Sequence, residues 1–254
     1  MIPGYTDFEF DLPEALLKKL RQIFDDPTWA AAPLLKSNVD VIPDAQGVYQ
    51  LFFDNVLCYI GKTDQDAGLK KRLNRHAAKI QHRHKLDPAR ITFKAVRLYV
   101  FTAIDLESQL IKDYGVDTWN GSGFGSNDPG RERDTTNYKE EHFDYRYPIN
   151  IDLPLSGIKL PTTATAADVF KLLREVIPYT FRAQNKGARS RKPHPDIDST
   201  IVTIPPTLPL TAKDIIVETV KQLPPGWQAV LLPSHIILYK DSKIYPSGLV
   251  LARS

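Results

Sequence analysis

The spacing of apolar and polar residues divides the start of the chain into short helices and strands. Leucine and isoleucine recur at helical spacing over residues 12–25, which predicts a helix, whereas residues 26–46 show no regular period. Two apolar, aromatic-rich runs, 48–53 and 56–60, flank Asp54 and Asn55. This arrangement is typical of a β-hairpin.

Helical and extended segments alternate after the hairpin. A stripe of four apolar residues predicts a helix over residues 66–85, residues 93–102 predict a strand, and Asp105 is the expected N-cap of a helix that ends at Tyr114. The stripe consists of Leu69, Leu73, Ala77 and Ile80. The β-β-α-β-α order predicts a compact unit whose helices cover a small sheet.

The second half of the chain is richer in glycine and proline. Residues 120–147 predict a long loop, residues 165–180 a helix, and residues 198–254 further α and β elements. These are an initial strand, a helix at 211–223 and strands at 230–239 and 243–251. Residues 182–192 hold five basic residues and no acid, which fits either a linker or an arm that follows DNA.

Composition and charge narrow the class of protein. With 254 residues, 42% of them hydrophobic, the chain is an ordinary folded protein. One cysteine, Cys58, excludes an internal disulfide, and neither a signal peptide nor a membrane-length apolar run is present, so we expect a cytoplasmic protein. Residues 62–97 hold eleven Lys or Arg and three Asp, a net charge of +8. A polyanion partner explains this excess, and a solvated helix face is the alternative.

Two tyrosine tripeptides lie on the hairpin, Gly47-Val48-Tyr49 and Tyr59-Ile60-Gly61. A two-residue turn at Asp54 and Asn55 in regular register would pair Tyr49 with Ile60 and put the tyrosines on opposite faces. A shared site therefore requires an odd-length loop or a bulge, and we predict one. The alternative is ordinary packing of two half-buried tyrosines.

Charged residues follow on the two helices after the hairpin. Arg72 and His76 are four residues apart and so share a helix edge, which Lys79 and Arg83 extend. An arginine fork suits a charged phosphate, although a surface helix edge would look the same. Glu107 borders an apolar stripe, and one carboxylate with water and phosphate oxygens is a common arrangement for Mg²⁺. A surface glutamate near Lys112 is the alternative.

Asn120 follows Trp119 just after the second of these helices. It could orient a phosphate or the catalytic loop, or be a simple turn residue before Gly121. The order and spacing of the two tripeptides, Arg72, His76, Glu107 and Asn120 resemble the GIY-YIG nuclease superfamily over residues 45–122, with Val48 in place of the name-giving isoleucine.

This resemblance implies an α+β fold with a three-stranded antiparallel sheet flanked by helices. We accordingly divide the chain into four segments. They are an N-terminal helical arm (1–44), the catalytic core (45–122), a DNA-contact loop, helix and basic linker (123–194) and a small C-terminal α+β extension (195–254).

The resemblance also implies roles for the tyrosines and their neighbours. Tyr49 would act as general base or position the attacking water, Tyr59 would contact the attacked phosphate or help activate water, and His76 would accept a proton or hydrogen-bond Tyr49. A phenol with an ordinary pKa of about 10 is an awkward base. We expect Arg72, Lys62 and the metal to favour the phenolate, with a relay through His76 easing proton loss.

The remaining roles concern charge and metal. Arg72 would stabilise the transition state, Asn120 would hold the scissile phosphate or the site geometry, and Glu107 would bind the metal. The implied cofactor is one Mg²⁺ per active site, with Mn²⁺ as a substitute ion.

The flanking sequence resembles the type II restriction-enzyme branch, whose known members are homodimers that cut a GC-rich palindrome in double-stranded DNA. Arg131 and Arg133 are candidates for reading guanine, and phosphate contact or pairing with Glu132 and Asp134 is the alternative. The full set of expected DNA contacts is Lys62, Arg75, Lys79, Arg83, Arg131 and Arg133.

A restriction enzyme would have a cognate methyltransferase outside this chain. The alternatives are a GIY-YIG nuclease acting as an antibacterial toxin, mobile-element nuclease or repair nickase, and a non-catalytic DNA-binding module.

Overall fold

The computed structural model describes residues 3–7, 11–63, 67–99, 106–116, 118–126, 130–187, 189–207 and 209–254. The chain divides into two compact units. The first contains Met1–Ala77 and Pro88–Gly121, and the second contains Ala78–Asp87 and Ser122–Ser254. The sequence-based division into four segments stays a prediction about their separate roles.

The first unit holds a sheet between helices. Its elements are α1 (Leu12–Phe24), β1 (Ala32–Pro33), α2 (Lys36–Val39), β2 (Gly47–Phe53), β3 (Val56–Thr63), α3 (Leu69–Lys79), β4 (Ile91–Arg97) and α4 (Leu106–Tyr114). Helix α1 begins where the Asp11 carboxylate caps the backbone N–H of Glu14, with Pro13 in the first turn. The last two residues of α3, Ala78 and Lys79, belong to the second unit.

The sheet has the strand order β1-β4-β2-β3, and every neighbouring pair is antiparallel. The α+β class and the antiparallel core of three strands are confirmed. The two-residue β1 adds a fourth strand, which comes from residues 26–46, where the sequence showed no regular period. On one face, Leu69 of α3 packs so closely that a Cβ on Gly47 would lie 2.6 Å from its Cδ1. On the other face, Val48 and Ile60 form one apolar cluster with α1 and α4.

Of the two predicted solutions, an odd-length loop or a bulge, the hairpin has the bulge. Asp54 and Asn55 form a two-residue turn with φ of 52° and 64°, as in the turns that match strand twist. A register shift between Leu51 and Phe52 then inserts one extra residue into β3. The predicted bulge is confirmed.

Several boundaries differ from the sequence prediction. Helix α3 ends at Lys79 instead of residue 85, because His82 and Lys85 adopt φ of 50° and 62°, outside the right-handed helical region. The starting point at residue 66, the strand residues 100–102 and the N-cap Asp105 lie outside the described residues.

The second unit has a core around helices α6 and α8. Its elements are α5 (Phe143–Arg146), β5 (Thr163–Thr165), α6 (Ala166–Val176), β6 (Thr180–Ala183), α7 (Pro195–Ser199), β7 (Ile201–Thr203), α8 (Ala212–Lys221), β8 (Gln228–Leu232), β9 (His235–Tyr239) and β10 (Leu249–Arg253). One sheet has the order β10-β8-β9-β6, in which β6 and β9 are parallel, and β5 pairs with β7.

Three sequence predictions for this unit are corrected. Residues 230–239 are not one strand, because the chain reverses between β8 and β9 and the two pair antiparallel. The last strand begins at Leu249 instead of residue 243. The long loop at 120–147 contains a 3₁₀ turn, Gly130–Thr135, and α5. No helix among the described residues is long and apolar enough to cross a membrane.

Candidate active site

The bulge in β3 brings the two tyrosines to one face of the sheet. Tyr49 pairs with Gly61, and Leu51 pairs with Tyr59, so these four residues project to the same side. The ring centroids of Tyr49 and Tyr59 are 6.0 Å apart. Both side chains are buried, with 0% and 3% of their surface exposed.

The glycine of each tripeptide is required by a close approach. The Tyr49 ring lies directly over Gly61, where a Cβ would overlap the Tyr49 hydroxyl oxygen. A Cβ at Gly47 would overlap the carbonyl oxygen of Val96 and crowd Leu69. Both glycines are therefore needed for packing. Gly61 leaves room for the Tyr49 ring, and Gly47 leaves room for Leu69 of α3.

Helix α3 places Arg72 and His76 against the Tyr49 hydroxyl. The hydroxyl oxygen lies 2.8 Å from His76 Nε2, and Arg72 Nε donates to the same oxygen at 3.4 Å. In the His76 tautomer whose Nε2 carries no proton, the Tyr49 hydroxyl donates to that nitrogen. The His76 ring is 1% exposed and packs against both tyrosine rings. We call Tyr49, Tyr59, Arg72 and His76 the tyrosine cluster.

Burial decides the protonation of Tyr49. It raises the pKa of the phenol well above its ordinary value, Tyr59 raises it further, and Arg72 opposes both with a smaller effect. Arg72 favours the phenolate, as expected, but burial and Tyr59 outweigh it, so Tyr49 is a neutral phenol in the protein alone. Burial would lower the pKa of Arg72, but its contacts with Tyr49 and Tyr59 raise it overall, so the guanidinium stays charged.

Asn120 is attached to the tripeptide strand. Its Oδ1 accepts from the Ile60 N–H at 3.0 Å, and its Nδ2 donates to the Ile60 carbonyl at 2.7 Å. The preceding Trp119 N–H donates to the Cys58 carbonyl at 3.1 Å. Of the two roles considered for Asn120, these bonds favour holding the site geometry.

Glu107 lies in the first turn of α4 and is half-buried. The apolar side of α4 packs on the Val48 and Ile60 face of the sheet, opposite the face that carries Tyr49. Direct contacts thus unite Tyr49, Tyr59, Arg72 and His76, whereas Glu107 belongs to an element on the other face.

The donor set is compatible with one hard cation. Among the described residues, no group of three or more His, Cys, Asp or Glu could enclose a metal ion. A magnesium ion at Glu107 would have one protein carboxylate and take its other ligands from water and phosphate oxygens, which is the usual situation for Mg²⁺ at a phosphate-processing site.

Residues 45–120 match the family model of the GIY-YIG catalytic domain. This segment is a GIY-YIG domain. The match includes the tyrosine cluster, Glu107 and Asn120, and it supports a nuclease function, specifically that of an endonuclease that acts on DNA. No curated protein matches the chain.

The predicted basic row divides between the two units: Arg72 and His76 belong to the first unit, whereas Lys79 and Arg83 belong to the second. Lys79 donates to the carbonyl oxygens of Gly123 and Phe124, at 3.1 and 2.6 Å. Arg83 is buried and donates to Asp144 at 2.8 Å and to the Tyr147 carbonyl at 2.8 Å. The sequence-based assignment of these two residues to DNA contact does not fit their placement, because their charged groups bind loop acceptors within the second unit.

The four other expected DNA contacts differ in exposure. Lys62, Arg75 and Arg131 are exposed, and the Arg131 guanidinium lies 5.2 Å from the centre of the Tyr239 ring. Arg133 is mostly buried and pairs with Asp144. The intraprotein alternative therefore holds for Arg133, with Asp144 as a partner that the sequence did not indicate.

Sequence reasoning missed the buried aspartates of the second unit. Asp144 is fully buried between Arg83 and Arg133, a group we call the Asp144 cluster. Burial would raise its pKa, but Arg83, Lys79 and Arg133 lower it overall. Asp134 is buried against Arg182, His235 and Tyr239, which we call the Asp134 cluster. In the sequence, Asp144 stands between Phe143 and Tyr145. These aromatic residues were the one indication that its carboxylate is buried.

Proposed function

We propose that this protein is a Mg²⁺-dependent, sequence-specific endonuclease that hydrolyses both strands of double-stranded DNA. The observation that carries the proposal is the Tyr49 hydroxyl, buried and held between His76 and Arg72 at 2.8 and 3.4 Å. It combines a proton acceptor and a cation at one oxygen, which hydrolysis of a phosphodiester requires.

Proton movement follows from this geometry. As water attacks the phosphorus, the Tyr49 oxygen takes the water proton while its own proton passes to His76 Nε2. The raised pKa of Tyr49 requires the two transfers to be coupled, because a free phenolate would be unstable in this buried position. The resulting imidazolium lies beside the phosphate, whose negative charge offsets it.

Charge stabilisation comes from Arg72 and Glu107. The Arg72 guanidinium stays charged and is half-exposed, so it can bind the oxygens of the attacked phosphate while its Nε holds Tyr49. Glu107 would hold the magnesium ion. When bound, Mg²⁺ stabilises the leaving 3′ oxygen as a Lewis acid.

Specificity and assembly rest on the resemblance to type II restriction enzymes. A homodimer would give each strand of a palindrome its own active site, and a GC-rich site suits the exposed Arg131, since arginine commonly contacts guanine. A cognate methyltransferase would then protect the same site.

Digestion of a plasmid library with Mg²⁺, followed by sequencing of the ends, tests this proposal. We expect discrete, palindromic ends. Random nicks would contradict sequence specificity and favour the toxin or repair function, and intact plasmid would contradict the nuclease assignment itself.

The Glu107→Gln variant tests the metal assignment. It should bind duplex DNA as the unmodified protein does, while Mg²⁺-dependent cleavage falls by about 10²–10³-fold. Glu140→Gln is the matched control, since this exposed glutamate lies outside the GIY-YIG domain. Cleavage that survives in Glu107→Gln would show that another group holds the metal.

A further inference from the structure

Residues 185–187 and 189–193 carry an unusual surface, and we call these described residues the basic hairpin. It carries Lys186, Arg189, Arg191 and Lys192, all exposed, and no acid. None of these four side chains makes an ion pair with any residue that the structure describes. The loop therefore presents four uncompensated positive charges to solvent.

Hydrogen bonds fix the conformation of the basic hairpin. Asn185 and Pro193 form an isolated antiparallel bridge, and the Lys186 N–H donates to the Lys192 carbonyl at 3.0 Å. The Asn185 side chain donates to the Ser190 carbonyl at 2.7 Å. The described residues on the two sides of this hairpin are thus hydrogen-bonded to each other.

The ends of the basic hairpin are attached to the core of the second unit. It follows β6, whose Arg182 is bound to Asp134 and does not belong to the exposed set. It precedes α7, where His194 caps the helix and packs against the Trp227 ring. An attached backbone lowers the total entropy lost on binding, because only the four side chains remain to be ordered.

Nearby acidic groups do not neutralise the hairpin. Asp196, three residues after it, binds Lys240 at 2.7 Å and the indole N–H of Trp227 at 3.0 Å. These contacts hold the pKa of Asp196 below its ordinary value, so its charge is already compensated within the unit.

We propose that the basic hairpin is a second DNA contact that binds the phosphate backbone of duplex DNA. This inference rests on the proposed function, because it identifies part of the surface that would hold the substrate. Exposed Lys and Arg without acids are the usual means of neutralising phosphates. An anionic membrane is a poorer match, since residues 185–193 hold no large apolar side chain that could insert into a bilayer.

A salt titration of DNA binding tests the inference. The full-length protein in EDTA is titrated with a duplex oligonucleotide at several salt concentrations, so that binding is measured without cleavage. In the variant Lys186→Gln, Arg189→Gln, Arg191→Gln and Lys192→Gln, the slope of log K against log salt should become shallower by about 2 to 4. Affinity at low salt should fall about tenfold or more, to the same extent for unrelated duplex sequences.

A dispersed variant provides the matched control. Lys18→Gln, Lys159→Gln, Lys171→Gln and Lys221→Gln remove the same charge from exposed positions elsewhere. This control should change the slope by less than one unit, and the double variant Arg189→Lys, Arg191→Lys should keep the slope of the unmodified protein. Thermal unfolding establishes that each variant is folded. If the fourfold variant unfolds, the double variant Lys186→Gln, Lys192→Gln provides a second test. Its slope should change by about half as much.

The outcomes separate this inference from the proposed function. Equal losses in the fourfold and dispersed variants would overturn the hairpin assignment, as would an absence of duplex binding or a preference for anionic vesicles over DNA. The proposed function fails on a different readout, the absence of Mg²⁺-dependent cleavage. A protein that cleaves DNA but binds it equally well without the hairpin charges would contradict only the inference.

Discussion

The tyrosine cluster of the first unit and the Asp144 cluster of the second are both buried, but their charges are compensated differently. The Asp144 carboxylate lies between two guanidinium groups, and the pKa of Asp144 is held down by Arg83, Lys79 and Arg133. The pKa of Tyr49 instead depends on burial, Tyr59 and Arg72. In a buried ion pair the two charges compensate each other. A neutral buried phenol beside a guanidinium instead leaves the positive charge available to an incoming phosphate.

This difference explains why the four residues predicted to share one helical row have two functions. Arg72 and His76 contact Tyr49, while Lys79 and Arg83 bind acceptors at Gly123, Phe124 and Asp144. The two members of each pair are four residues apart in sequence, but Arg83 lies beyond the end of α3. The acceptor that each side chain meets decides whether it serves the reaction or the fold.

The largest expected effect is on cleavage. Tyr49→Phe keeps the ring contacts with Tyr59 and His76 but removes the hydroxyl, so cleavage should fall by about 10²–10⁴-fold while the melting temperature changes little. Single-turnover cleavage and thermal unfolding measure the two quantities. Tyr245→Phe, which removes another buried, hydrogen-bonded hydroxyl, is the control and should leave cleavage unchanged. Near-normal cleavage by Tyr49→Phe would exclude the proposed proton route.

The next largest effect should be on stability. Asp144→Asn leaves Arg83 and Arg133 without a counter-charge, and breaking such a pair costs about 3–5 kcal/mol. Denaturant unfolding of the full chain measures this loss, and hydrogen exchange should locate it in the second unit.

The pH dependence gives an independent check on Asp144. Its pKa in the folded protein is below the ordinary value, so its stabilising contribution is complete above about pH 4 and is lost as the pH falls through the lower, folded pKa. Asp144→Asn should therefore flatten the acid limb of the stability curve. An unchanged limb would mean that the cluster contributes no net charge stabilisation.

A smaller effect is expected at Gly61. In Gly61→Ala the new Cβ displaces the Tyr49 ring, and a displacement of about 1 Å at a reacting group can reduce the rate about 10²-fold. Cleavage kinetics at fixed temperature measure the loss. Ser156→Ala is the control, because this exposed residue lies outside both the GIY-YIG domain and the basic hairpin. Equal activity in both variants would show that the position of the Tyr49 hydroxyl is not critical.

The sequence predicted much of the first unit because local patterns determine it. The hairpin turn, the need for a bulge and the two helices that follow could all be inferred from apolar spacing and turn residues. Burial could not, and so the raised pKa of Tyr49 and the inward orientation of Arg83 were missed. Both depend on contacts distant in sequence, such as that between Arg83 and Asp144, which are 61 positions apart.

The bonds made by Asn120 and Trp119 also close an exposed edge. Strand β3 ends the four-stranded sheet, and an open strand edge invites pairing with another chain. At this point the Cys58 carbonyl and both polar groups of the Ile60 backbone are already occupied. The turn that fixes the catalytic strand thus also protects it from aggregation, and a second copy of the chain could not extend the sheet past Ile60 without displacing Asn120.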